Sequence, residues 1–256
     1  MKLKLLAFAI SFALIGGSSA FAEEMESDDF LPPDQFPGEF SANMTLATDY
    51  IYRGISQTSN DPAIQGGIDY GIDTGFYDIG WYAGIWASNI DFDAADDSTR
   101  SNAGAIEIDV YTGIAGDLMG FGWDVGFLQY WYPGSNENLE YDFWEVYGSL
   151  GYDFDIVAVS GGIAYSPDFF GGTNDAVYYS ADIEVPIYRS LYASGHYGHQ
   201  YIESGEDYSD MKVALGATVL GFDWEVAFID TFGAAPDDAG TSLDDERVVG
   251  SVTASF

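Results

Sequence analysis

Carboxylates recur every second residue in this chain, and that spacing bounds the chemistry it can host. Glu107 and Asp109, Asp182 and Glu184, and Asp223 and Glu225 are each two apart, with apolar residues between them. Two residues apart on a strand means one face. Asp49, Asp69, Asp124 and Glu145 fall on the same parity of their segments, as do the scarce cations Arg53, Lys212 and Arg247. A cavity lined this way concentrates cations and rejects anions. Tyr82, Tyr111, Tyr130, Tyr147, Tyr178 and Tyr192 share the parity, where they can narrow a bore and stack on flat or cationic solutes. The bland alternative is that acids and tyrosines bond to one another and fill the space.

Two other chemistries compete. Ser194 and His196 share a face, and Asp182 lies on the neighbouring segment. A nucleophile–base–acid arrangement would need those groups in hydrogen-bond contact beside an oxyanion site. Their parity, however, is that of the carboxylates and not of the apolar side, so no catalytic residue is assigned. The runs Asp91, Asp93, Asp96, Asp97 and Asp237, Asp238, Asp244, Asp245, Glu246 offer oxygen ligands for Ca²⁺ or Mg²⁺. They lack the glycine-centred spacing of a dedicated calcium loop. No metal site or cofactor is assigned, and these runs read as a solvated acidic rim with divalent cations as a candidate partner.

The elements that position these groups are strands. Twelve segments of about ten residues, the length of a tilted membrane strand, cover 40–52, 63–73, 78–88, 105–116, 121–132, 141–152, 156–166, 176–186, 190–201, 208–219, 222–231 and 247–256. Their other parity is apolar: Ile106, Ile108, Val110 and Ile114, or Met211, Val213, Leu215 and Val219. A slip of one residue would turn carboxylates into the apolar face, so register is strongly specified. Connections alternate between short (74–75, 117–120, 153–155, 187–189, 220–221) and longer, acidic ones. The fold class expected is an all-β, transmembrane, antiparallel barrel of about twelve strands with both termini periplasmic. Trp81, Trp123 and Trp224 near one end of the apolar face, and Trp131 and Trp144 with Tyr50 near the other, form the expected aromatic belts.

Composition agrees. Lys2 and Lys4, an apolar run over 5–15 and an Ala-x-Ala site ending at Ala22 make residues 1–22 a secretory signal peptide. Without it, 5 basic residues face 42 acidic ones, a formal charge of −37. That excludes nucleic acid as a partner. Zero Cys excludes thiolate chemistry and disulfides, and 17 % aromatic residues excludes a disordered chain. Residues 23–39, acidic and proline-bearing, read as a flexible periplasmic leader ahead of a barrel over 40–256. The final strand ends on Phe256, the expected signal for the barrel-assembly machinery.

The first hairpin carries a family likeness. Asp49-Tyr50, Arg53-Gly54, Gln57-Thr58, Pro62-Ala63 and Gln65-Gly66-Gly67 resemble the signature of the TorF-like porin family. The resemblance implies a bacterial outer-membrane barrel acting as a passive channel, with outer-membrane lipid, lipopolysaccharide and small solutes as its partners and no active-site residues to carry over. From the residues alone, Asp49 and Arg53 share the polar parity of segment 1 and face Gln65, Asp69 and Asp73 of segment 2, as a register pin, with a substrate-binding role as the alternative. The function expected is passive diffusion of small solutes through a cation-favouring lumen. The alternative is a non-conducting barrel whose acidic loops bind divalent ions, lipopolysaccharide or a protein partner.

Overall fold

Period-two alternation leaves each strand one apolar and one polar face, and closing the sheet on itself satisfies both. The computed structural model describes residues 37–92, 104–233 and 243–256. Its strands are β1 (Glu39–Ala47), β2 (Ile51–Tyr52), β3 (Ile55–Ser56), β4 (Ala63–Phe76), β5 (Ile79–Asn89), β6 (Ile106–Leu118), β7 (Phe121–Trp131), β8 (Phe143–Asp153), β9 (Ala158–Ser166), β10 (Ala176–Tyr188), β11 (Leu191–Ile202), β12 (Tyr208–Val219), β13 (Phe222–Phe232) and β14 (Arg247–Ser255). β1 and β4 to β14 form one closed barrel of neighbouring antiparallel pairs; β2 and β3 pair only with each other. The barrel thus has the twelve strands expected and no open edge to template aggregation.

The seam joins the two ends of the chain. β1 pairs with β14 from Asn43↔Ser255 to Ala47↔Ser251. Below that, Ala42 N–H donates to Phe256 O at 2.9 Å and Phe256 N–H to Ala42 O at 2.8 Å. Inside the seam the hydroxyls of Thr45 and Thr253 bond at 2.8 Å.

The outward face is a continuous apolar skin. Ile68, Val213, Leu215, Val226 and Val248 are each more than half exposed. In a water-soluble fold so many bare aliphatic side chains would drive association; in a bilayer they are the surface that lipid requires. Among the described strands the outward parity carries no Lys, Arg or Glu, and its acid is Asp230 near the loop end of β13. Charged side chains are turned to the lumen.

Two local features depart from the alternation. The polarity pattern runs on through Tyr52, but β1 ends at Ala47, where its partner β4 begins (Ala47↔Ala63). Past Thr48, whose N–H donates to Gly250 O at 2.9 Å, the chain leaves the wall. It turns into the barrel and forms the β2–β3 hairpin at Arg53 (φ +48°) and Gly54 (φ +84°). Two positive φ values in a row are those of the two-residue turn that matches strand twist. The short link expected at 74–75 lies inside β4, where the register shifts between Asp73 and Phe76. The chain reverses instead at Tyr77 and Asp78.

Candidate functional site: the lumen and its constriction

Inward side chains are locked by a repeated device, a tyrosine laid over a glycine of the next strand. Tyr111 lies opposite Gly84, Tyr82 opposite Gly113, Tyr147 opposite Gly126 and Tyr192 opposite Gly216. At each of these glycines a Cβ would collide with the facing tyrosine ring. The ring therefore lies flat along the wall and carries its hydroxyl sideways to a carboxylate. Tyr82 donates to Asp124 at 2.8 Å and bonds Tyr147 at 2.5 Å. Tyr111 donates to Asp69. Along this β4–β8 flank Asp69 and Asp124 are held by phenols.

Towards the loop end the lumen closes around one guanidinium. Segment 48–62 crosses the bore and places Arg53 at 2 % exposure. Arg53 Nη2 donates to Glu145 Oε2 on β8 at 2.7 Å, and Nη1 donates to Gln200 Oε1 on β11 at 2.7 Å. The Tyr178 ring of β10 lies 4.3 Å from its carbon, Tyr52 4.8 Å and Phe169 5.9 Å. Burial works against the Arg53 charge, but Glu145 and the surrounding phenols outweigh it and hold the guanidinium protonated. Tyr130 donates a second bond to Glu145 Oε2 at 3.0 Å.

Other contacts seat the same segment around the wall. Tyr50 Oη donates to Glu107 at 2.9 Å and packs edge-on against Trp86 at 5.3 Å between centroids. Thr231 Oγ1 donates to Gly54 O at 2.9 Å, and Ser56 N–H to Leu243 O at 2.9 Å. Ile51 packs on Ala214, Ala227, Ile229 and Val249. Burial raises the Tyr50 phenol well above its ordinary value, and Glu107 and Asp109 push the same way, so it remains a donor.

The opposite flank, β10 to β14, pairs each of its bases. His196 Nδ1 lies 2.7 Å from Asp182, and its Nε2 lies 3.1 Å from Asp210 and 2.8 Å from Tyr178 Oη. Lys212 Nζ meets Glu225 at 3.2 Å and Arg247 Nη1 meets Asp49 at 3.1 Å. No nucleophile–base pair is assembled: both His196 nitrogens are taken, and the buried Ser194 Oγ has no hydrogen-bond partner.

Asp69, Glu107, Asp109, Asp124, Glu145, Asp182, Glu184, Lys212, Asp223, Glu225 and Arg247 all sit on the inward parity of their strands. Asp49 and Arg53 do not. Expected on strand 1 opposite Gln65 and Asp69, they belong to the inward segment. Asp49 accepts from Ser56 at 2.7 Å and from Thr58 at 2.9 Å, so it shapes the segment from within. Tyr50 is likewise no belt residue: at 1 % exposure it is among the most buried side chains, because the chain has turned inward before reaching it. Trp81, Trp131, Trp144 and Trp224 are exposed on the outer face, with Trp123 beside them half-buried. Among the described residues no group of three or more His, Asp or Glu is arranged to hold a metal ion. Asp93, Asp96, Asp97, Asp237 and Asp238 lie outside the described residues, as do residues 1–36, over which the signal peptide and most of the leader were expected.

Gln200, Asp210 and Phe169 were not singled out as site residues from the sequence, whereas Tyr178 was expected on the inward parity. Gln200 and Asp210 follow the inward parity, which was the signal available. Phe169 lies between strands, where parity carries no information.

The family model described as "Bacterial protein of unknown function (Gcw_chp)" matches residues 34–256. No curated protein matches the chain. Among solved structures it is similar to the KdgM porin (TM-score 0.51, 10 % identity, 84 % of this chain and 99 % of that one). An outer membrane channel from Pseudomonas putida F1 gives TM-score 0.51 at 10 % identity over 91 % of this chain and 100 % of that one. The NanC porin gives 0.50 at 7 % identity over 84 % and 98 %. At such identities the likeness is one of fold. Together with the charge-poor apolar skin, it makes the protein a barrel of the outer membrane. The chain, from residue 34 to its last residue, belongs to the Gcw_chp family of bacterial proteins.

Proposed function

We propose that this protein is a porin-like channel for passive diffusion of small solutes, favouring cations and narrowed at its loop end by segment 48–62. One observation carries the reading: among the described residues, inward carboxylates on every flank face only Arg53, Lys212 and Arg247 as permanent cations, and each of those is already paired. The residual field is negative along the bore, which raises cation concentration there and repels anions. The likeness of the first hairpin to the TorF-like porins and the barrel's likeness to porins and channels support conduction. In this reading the short turns and both termini face the periplasm. Residues 1–22 address the chain for export, 23–39 form a periplasmic leader, and Phe256 is read by the barrel-assembly machinery.

The test is reversal potential in planar bilayers under a KCl gradient. A potential of the sign set by K⁺ supports the reading, and one set by Cl⁻ refutes the lumen assignment. A second reading is favoured by the full burial of Arg53 and its neighbours: a barrel that does not conduct, whose acidic loops engage divalent ions, lipopolysaccharide or a protein. Protein that inserts and folds yet gives zero conductance supports this second reading.

A further inference from the structure

Arg53 is held the way a binding site holds a small organic cation. Its guanidinium faces two acceptors, the Glu145 carboxylate and the Gln200 amide oxygen, each at 2.7 Å. Its flat faces meet the rings of Tyr178 and Phe169. All four of these residues belong to the barrel or to the loop 167–175; a third ring, Tyr52 at 4.8 Å, belongs to the segment that carries Arg53 and leaves with it.

Each wall is fixed by something other than Arg53. Glu145 Oε2 also accepts from Tyr130. Gln200 donates its amide to Tyr201 O at 3.1 Å, which turns its oxygen to the guanidinium. Tyr178 is tied through its hydroxyl to His196 at 2.8 Å and Asp210 at 3.0 Å, which sets the ring as a platform. A cage whose walls are locked independently of its occupant is preorganised, and binding a second occupant need not rebuild it.

We propose that this cage is a recognition site for guanidinium or alkylammonium solutes, and that Arg53 occupies it as a tethered stand-in. The ligand class follows from the walls. Acceptors without a donor suit an N–H-rich cation. Aromatic faces attract weakly hydrated planar cations more than strongly hydrated inorganic ones. An anion would meet Glu145 and two π faces, all repulsive. While segment 48–62 is docked, the site is closed by its own side chain; a solute enters only as Arg53 leaves. That a solute arrives through the lumen rests on the channel reading above, but occupancy of the cage does not.

The experiment uses full-length Arg53→Ala barrel folded in detergent and titrated calorimetrically with N-ethylguanidinium, with NaCl of equal ionic strength as the reference. The expected result is saturable binding to the variant and measurable but weaker binding to the parent protein, where the solute competes with Arg53; no binding to the parent overturns the recognition role. In Arg53→Ala/Glu145→Gln the affinity should fall about tenfold or more, the loss expected for one charge-assisted hydrogen bond. Equal binding to parent and variant, or equal binding with and without the Glu145 charge, overturns the proposal. Should Arg53→Ala fail to fold, its refolding yield is measured with and without N-ethylguanidinium. Rescue by that cation and not by NaCl supports the cage; no rescue overturns it. Calorimetry needs no conduction, so a variant that binds but is silent in bilayers sinks the channel reading alone.

Discussion

Replacing Glu145 by Gln separates the constriction from the barrel that holds it. Glu145 is 1 % exposed and provides the one carboxylate on Arg53, at 2.7 Å. Removing its charge with the segment still docked would leave a buried guanidinium uncompensated, at a cost of about 3–5 kcal/mol. The segment has another option, which is to leave. Its remaining anchors include Tyr50 to Glu107, Thr231 to Gly54, Ser56 to Leu243, Asp91 to Gln57, Arg247 to Asp49 and Arg53 to Gln200. At about 1 kcal/mol each these six hold roughly 6 kcal/mol. The upper end of the penalty comes within about 1 kcal/mol of that total, a factor of about 5 in population, so docked and released forms should coexist. In single-channel recordings Glu145→Gln is expected to flicker between the parent conductance and a larger one. Limited proteolysis should cut within 48–62 while the barrel stays intact. The urea midpoint of the barrel, followed by tryptophan fluorescence, should barely move, because the strand ladders do not include the segment. A urea midpoint lowered by the full penalty with conductance unchanged would refute this reasoning, as would no change in any of the three measurements.

Val226 is 59 % exposed halfway along β13, so Val226→Arg should cost about 2–4 kcal/mol on folding into lipid vesicles; Ser251→Arg, on the inward parity, should cost far less. Gly126→Ala drives a methyl into the Tyr147 ring and should destabilise the barrel to urea by about 1–3 kcal/mol. In a Tyr147→Ala background the same change should cost less, the remainder coming from the Thr112 carbonyl oxygen 2.9 Å from the added methyl. Deleting Phe256 removes both backbone bonds to Ala42 at the seam, and should lower unfolding stability in detergent by about 2 kcal/mol.

The strands were legible because their signal is local and two-sided. Between Glu107 and Ile114, or Tyr208 and Val219, each residue reports whether it faces lipid or lumen. Lipid tolerates no charge, so the pattern has little freedom to mislead. Eleven of the inward carboxylates and bases follow from parity alone, among them Asp69, Glu107, Asp109, Glu184 and Lys212. The same rule failed between strands. Asp49, Tyr50, Tyr52 and Arg53 continue the alternation of β1, and nothing in their spacing announces that the chain has left the wall.

What the sequence determined by itself is therefore the barrel: its strand number, its register, the side facing lipid, and the excess of carboxylates within. Only the tertiary structure decided that the first long connection folds back into the bore and that one buried cation closes it. The reason is the range of the contacts involved. Arg53 meets partners 92 and 147 residues away along the chain, on strands that come together only when the sheet closes. Alternation is written residue by residue, whereas a guanidinium's place among distant walls exists only once the cylinder has formed.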